Sequence, residues 1–171
     1  WGLDDRLAAR KHFPSINWLT SYSLYDERLD EYFRQAAGES FPEMRKEAMA
    51  ILQEESELNE IVRLVGLDSL SPRQRMVLET AKSLREDFLY QSAFHEVDTY
   101  CSQKKQYGIM DVILTMHHKA LSALDAGVRI DKILSLPVRE RISRARVTPE
   151  GEWPAEYERI MAAIAEEIEA A

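Results

Sequence analysis

The stretch Phe41-Pro42-Glu43-Met44-Arg45-Lys46-Glu47-Ala48-Met49-Ala50-Ile51-Leu52-Gln53-Glu54-Glu55-Ser56-Glu57-Leu58-Asn59-Glu60-Ile61-Val62-Arg63-Leu64-Val65 decides the fold class. Met44, Ala48, Ile51, Leu58, Val62 and Val65 fall at helical spacing along one face. Ser40 can cap the first turn, Pro42 is tolerated within it, and Gly66 can close the far end. After Ser71-Pro72 the spacing returns in Val77, Ala81, Leu84 and Phe88. It returns again from about Gly108 to Ala126 through Ile109, Ile113, Met116, Ala120 and Leu124, ending at Gly127. A last helix is predicted from Pro154 to Ile168 through Tyr157, Met161 and Ile164, after a loop at Thr148-Pro149-Glu150-Gly151. A shorter one spans Asp26 to Ala36, ending at Gly38, and small ones flank Pro137. No segment alternates with period two. The expected class is all-α, an antiparallel helical bundle.

Only the start departs from this pattern. Lys11-His12-Phe13-Pro14-Ser15-Ile16-Asn17-Trp18-Leu19-Thr20-Ser21-Tyr22-Ser23 has neither helical nor strand periodicity, yet it is rich in aromatics. A loop of that composition packs onto something, so the bundle is expected to carry an irregular aromatic N-terminal segment.

The chain has 171 residues, with 30 acidic and 22 basic side chains and a formal charge of −8. At 45% apolar and 30% charged it is too hydrophobic for intrinsic disorder and too charged for a bilayer. Its length suits one core. The acidic balance argues against nucleic-acid binding, which needs a concentrated basic face. No apolar run approaches the ~20 residues needed to span a membrane. The chain opens Trp1-Gly2-Leu3-Asp4-Asp5-Arg6, charged where a secretory signal is apolar and without an initiator methionine, which fits an excised or processed polypeptide.

Self-contained catalysis has no visible source. There is no G-x-x-x-x-G-K-[ST], no G-x-G-x-x-G and no H-E-x-x-H. His117 and His118 are adjacent and therefore splayed on a helix, the reading being a solvated or core-edge pair. Cys101 is the only cysteine, with no motif to activate it, and reads as a buried, inert thiol. Asp87 and His95 bracket Phe88-Leu89-Tyr90, but no nucleophile stands at a telling spacing. The pairs Glu54-Glu55 and Glu166-Glu167 read as solvated faces.

Three stretches resemble the catalytic A subunit of V/A-type rotary ATPases, in that family's order. They are His12-Phe13-Pro14-Ser15-Ile16-Asn17-Trp18-Leu19-Thr20-Ser21-Tyr22-Ser23-Leu24-Tyr25, Glu86-Asp87-Phe88-Leu89-Tyr90-Gln91-Ser92-Ala93-Phe94-His95-Glu96-Val97-Asp98-Thr99-Tyr100-Cys101, and Leu136-Pro137-Val138-Arg139-Glu140-Arg141-Ile142. With family-like helices between them, the resemblance covers essentially the whole chain. It implies the C-terminal helical domain of that subunit, with residues 1–25 as the tail of a nucleotide-binding domain and its connection, and 26–171 as the bundle.

The resemblance further implies that the phosphate loop, the Mg2+ site and the catalytic carboxylate lie upstream, so that the isolated chain should be inactive and need no cofactor. What this region would supply is the adenine slot for ATP or ADP. Phe13, before Pro14, matches the stacking aromatic. Ala93 and Phe94 match a second wall, and Val97 and Tyr100 match further positions by similarity to the F-type beta subunit. Taken as bare residues, Phe13, Phe94 and Tyr100 would be ordinary core aromatics. The turn Asp68-Ser69-Leu70-Ser71-Pro72-Arg73-Gln74 lies where the F-type beta chain faces the rotating shaft, although Pro72 and Arg73 stand in place of carboxylates. The implied partners are B subunits, central-shaft subunits and the upstream nucleotide-binding domain, in a cytoplasmic head peripheral to the membrane. Proton and sodium coupling, and synthesis and hydrolysis, are equally compatible with these residues. The rival reading is a free-standing helical interaction module with the aromatic segment as its docking surface. A bundle metalloenzyme would need E-x-x-H pairs, which the chain lacks.

Overall fold

The computed structural model describes residues 1–171. A two-stranded antiparallel ribbon, β1 (Gly2–Leu3) and β2 (Ile16–Asn17), pairs Gly2 with Asn17 and Leu3 with Ile16, around the short helix α1 (Asp5–Ala9). The bundle follows: α2 (Asp26–Ala36), α3 (Phe41–Val65), α4 (Pro72–Ser83), α5 (Gln103–Asp125), α6 (Ile130–Leu134), α7 (Val138–Arg144) and α8 (Trp153–Glu169). All-α is therefore the architecture, with the irregular aromatic segment ahead of it.

α5 is the hub, packing against α3, α4, α7 and α8. Its sequence supplies the apolar face for this: Ile109, Val112, Ile113, Met116 and Ala120 are all buried. Opposite them, Ile51 and Leu52 of α3, Met76 and Val77 of α4, and Ile160 and Ile164 of α8 join one continuous core. Burying a side chain of that size contributes about 1.5–3 kcal/mol each. Gly108 lets α8 come close, since a Cβ there would stand 2.8 Å from the Trp153 ring. Tyr157 of α8 then donates to Asp111 of α5 at 2.5 Å.

Several departures from the sequence reading have physical causes. α5 begins at Gln103, five residues before the predicted start, because its first turn is polar in composition and yet carries the buried Lys105. Ser102 caps it by accepting from the Lys105 amide at 3.1 Å, and the fully buried Lys105 ammonium donates to the Arg146 and Thr148 carbonyls at 2.8 and 2.6 Å. Ser40 occupies the α3 N-cap position without bonding its amides, its hydroxyl lying instead 3.0 Å from the Tyr107 hydroxyl. Glu55 is not solvated but buried, paired with Arg85 at 2.9 Å. Glu167 is likewise used, accepting the Val138 amide at the start of α7. Val65, assigned to the inward face, is exposed together with Leu64, because the last turns of α3 run past the bundle that buries Leu58.

Candidate aromatic edge and helical tip

α4 does not end in a cap but widens into a π-turn over Leu84–Leu89, closed by the Tyr90 amide donating to the Arg85 carbonyl at 3.0 Å. Phe88, within this wider turn, is half-buried and packs against the core. From Tyr90 to Ser102 the backbone is a loop. Its shape depends on Asp98, which is buried, accepts the Ser92 amide at 2.7 Å and pairs with Arg146. The Arg146 guanidinium also lies over the Tyr90 ring, 4.7 Å from its centroid. His95 turns the loop by accepting the Val97 and Asp98 amides, both at 3.2 Å.

The aromatic N-terminal segment docks on this loop. The Phe13 carbonyl accepts the Gln91 amide at 2.7 Å, so the two stretches that carry the candidate slot are joined directly. The Phe13–Pro14 peptide is cis. Phe13 is 52% exposed, Tyr100 73%, and Phe94 fully exposed, so none of the three is a core aromatic of this chain. Ala93 is exposed and Val97 half-buried. Since Phe94 lies three residues beyond Gln91, it is within about 11 Å of that junction along the chain. Below the loop, Pro14, Phe88, Tyr90, Asp98, Cys101 and Arg146 help enclose a cavity of about 210 Å³. Cys101 is half-buried rather than fully buried as expected, and that partial burial pushes its thiol up to about 11, as suits an inert side chain.

At the far end of α3, Gly66 adopts φ +89°, a conformation open to glycine, and reverses the chain. A single 3-10 turn, Leu67–Ser69, follows. Within the candidate contact turn only Leu70 is buried, where it anchors the turn to the core. Gln74 is half-buried, while Asp68, Ser69, Ser71, Pro72 and Arg73 face solvent. Ser71 and Gln74 cap α4 reciprocally, and Arg73 pairs with Asp125 at the end of α5. Beside the turn, Ile61, Leu64, Val65 and Leu67 form an exposed apolar surface. Helical periodicity places Val65 in the core and therefore conceals this tip.

The two histidines separate as expected from their adjacency. His117 is buried with Nδ1 2.8 Å from the Thr80 hydroxyl, and His118 is exposed beside Glu47. No three His, Cys, Asp or Glu side chains converge to hold a metal ion. No helix is long and apolar enough to cross a membrane. Asp98 and Arg146, the pair that shapes the loop, escape a reading of the sequence. They lie 48 residues apart, and neither belongs to a motif that relates it to the other.

Residues 30–134 match the family model described as the C-terminal domain of V and A type ATP synthase. The chain is 56% identical over 152 residues to the V-type ATP synthase alpha chain of Clostridium perfringens, covering 89% of this chain and 26% of that one. It is 51% identical over 170 residues to the V-type ATP synthase alpha chain of Acetivibrio thermocellus, covering 99% and 29%. To the V-type ATP synthase alpha chain of Clostridioides difficile it is 51% identical over 160 residues, covering 94% and 27%. The chain thus spans between a quarter and a third of the length of these relatives.

Proposed function

The chain belongs to the family of C-terminal domains of V- and A-type ATP synthases, and from that premise we propose that it forms the helical end of a catalytic subunit whose residues 1–25 lead in from a nucleotide-binding domain. There it lines the adenine slot and passes nucleotide state to a rotating shaft. The observation that carries this reading is the bond from the Gln91 amide to the Phe13 carbonyl, which joins two segments bearing solvent-facing aromatics. An adenine ring offers a flat π-face, and stacking on an aromatic side chain contributes about 1–3 kcal/mol without any ionisable group. Phe13 supplies the stacking face, Ala93 and Phe94 the second wall, with Val97 and Tyr100 at its margin. These side chains bind and orient the base and exclude water from it.

No three His, Cys, Asp or Glu side chains converge in this chain, and on this reading the magnesium site lies in the upstream nucleotide-binding domain. The same reading expects the isolated chain to release no phosphate from ATP. Closure of the nucleotide-binding domain on ATP would carry the bundle with it, because a close-packed core moves as a body. The Asp68–Gln74 turn, with the apolar Ile61, Leu64, Val65 and Leu67 beside it, then presses on the shaft. Contacts that differ between open and closed forms set how far the swing is biased. The assembly would be a head with B subunits, peripheral to a membrane and working on the cytoplasmic side.

Phe13→Ala in the complete catalytic chain tests the slot. Loss of stacking should weaken ATP and ADP binding by about 5- to 150-fold in a fluorescence titration, with the circular dichroism spectrum unchanged. Unaltered affinity would remove Phe13 from the site.

A further inference from the structure

We propose that His12 is the positioning residue of the adenine slot, a latch that keeps the Phe13 segment in register with the loop carrying Ala93 and Phe94. This rests on the slot reading above. His12 sits half-buried between two aromatic rings, its centroid 5.8 Å from that of Trp18 and 5.6 Å from that of Tyr90 in an edge-on approach. Its Nε2 lies 2.9 Å from the Arg85 carbonyl. A carbonyl only accepts, so Nε2 carries the hydrogen and donates.

That carbonyl is the one that closes the π-turn by accepting the Tyr90 amide. One residue later the Phe13 carbonyl accepts the Gln91 amide. Two hydrogen bonds from consecutive residues therefore stitch the N-terminal segment across the mouth of the turn, the ring at position 12 turned in and the ring at position 13 turned out. The remaining nitrogen gives the assignment its force. His12 Nδ1 is buried and has no partner. A phenylalanine would stack between Trp18 and Tyr90 without that unsatisfied atom, so what histidine adds at this position is the Nε2–H bond alone. The two walls of the slot then move as one piece when the bundle swings.

The complete catalytic chain is the material for the test. His12→Phe keeps a ring and deletes the donor, and His12→Gln restores an amide N–H near the same place. His12→Phe should speed hydrogen exchange at the Gln91 amide and weaken ADP binding about 3- to 10-fold, the loss expected for one hydrogen bond. His12→Gln should recover most of both. In a Phe13→Ala background His12→Phe should cost nothing further, because the latch acts only through Phe13. Full additivity of the two substitutions would overturn the proposal, as would His12→Phe with unchanged binding beside a damaging Phe13→Ala. Should Phe13→Ala itself leave affinity intact, the slot reading falls and takes the latch's role in binding with it. The exchange rate at Gln91 then still reports whether the stitch exists.

Discussion

Asp98→Ala removes the charge on which the shape of the Phe94 loop depends. The Asp98 side chain keeps only 5% of its exposure, accepts the Ser92 amide at 2.7 Å and pairs with Arg146. Taking one partner from a buried ion pair costs about 3–5 kcal/mol, because the other is left uncompensated. Arg146 is 24% exposed and retains the Tyr90 face, so water can rehydrate part of its charge. That lowers the expectation to about 2–4 kcal/mol. For a chain of this length each kcal/mol corresponds to about 2–4 °C in Tm, so the variant should melt roughly 4–16 °C lower. Asp98→Asn keeps an acceptor for the Ser92 amide and should lose about half as much. Urea and thermal unfolding followed by circular dichroism give both values. An Asp98→Ala chain within about 0.5 kcal/mol of wild type would refute the claim that this pair shapes the loop.

Burial, with a smaller contribution from the neighbouring His118, pushes His117 down to about 4. The unfolded chain, with its histidine near 6.5, therefore binds the extra proton first as pH falls. Stability should be whole above pH about 6.5 and decline towards pH about 4, no more steeply than about 1.4 kcal/mol per unit from this residue. Urea titrations of His117→Gln against wild type should diverge across that window, and parallel curves would contradict the burial argument. Burial raises the Asp87 carboxyl even though Ser83 donates to it, so ionisation above the usual carboxylate range works against folding. Asp87→Asn should leave the urea midpoint at pH 7 unchanged or higher, and a clear drop would count against this. Gly66 combines φ +89° and ψ 164° with no atom near enough to clash with a Cβ. Gly66→Ala should then cost about 1–3 kcal/mol from backbone strain alone, read as a lowered denaturation midpoint. An unchanged midpoint would show that the turn relaxes.

What is legible in the chain follows from where the physics is local. The helix over Asp26–Ala36 and the long one ending at Gly66 coincide with their predicted bounds because apolar spacing and the glycines that follow them are local signals, although neither N-terminus carries a side-chain cap. Lys105 hides the first turn of α5, since a buried lysine satisfied by two distant carbonyls looks like surface. Glu55 and Glu167 mislead in the same way, each being paired with a group about 30 residues away. At the candidate site Phe13 and Phe94 are found through resemblance and never through pattern. Their exposure rejects the core alternative that spacing alone favours. His12 lies in view beside Phe13, but its task depends on a carbonyl 73 residues further on. Such pairings emerge only when the chain is folded.

α3 also sets a mechanical ratio. Its 25 residues make a rod of about 37 Å, held along its first two-thirds by the core and free at the Val65 end. Pivoting such a rod about its Ser40 end by about 10° would sweep the free end through roughly 6 Å, slightly more than one helical turn. A displacement of that order suffices to move the Gly66 bend from one row of side chains to the next on an adjoining helix. Stiffness here is gearing: the unbroken helix turns a small angular change at one end into a step of molecular size at the other.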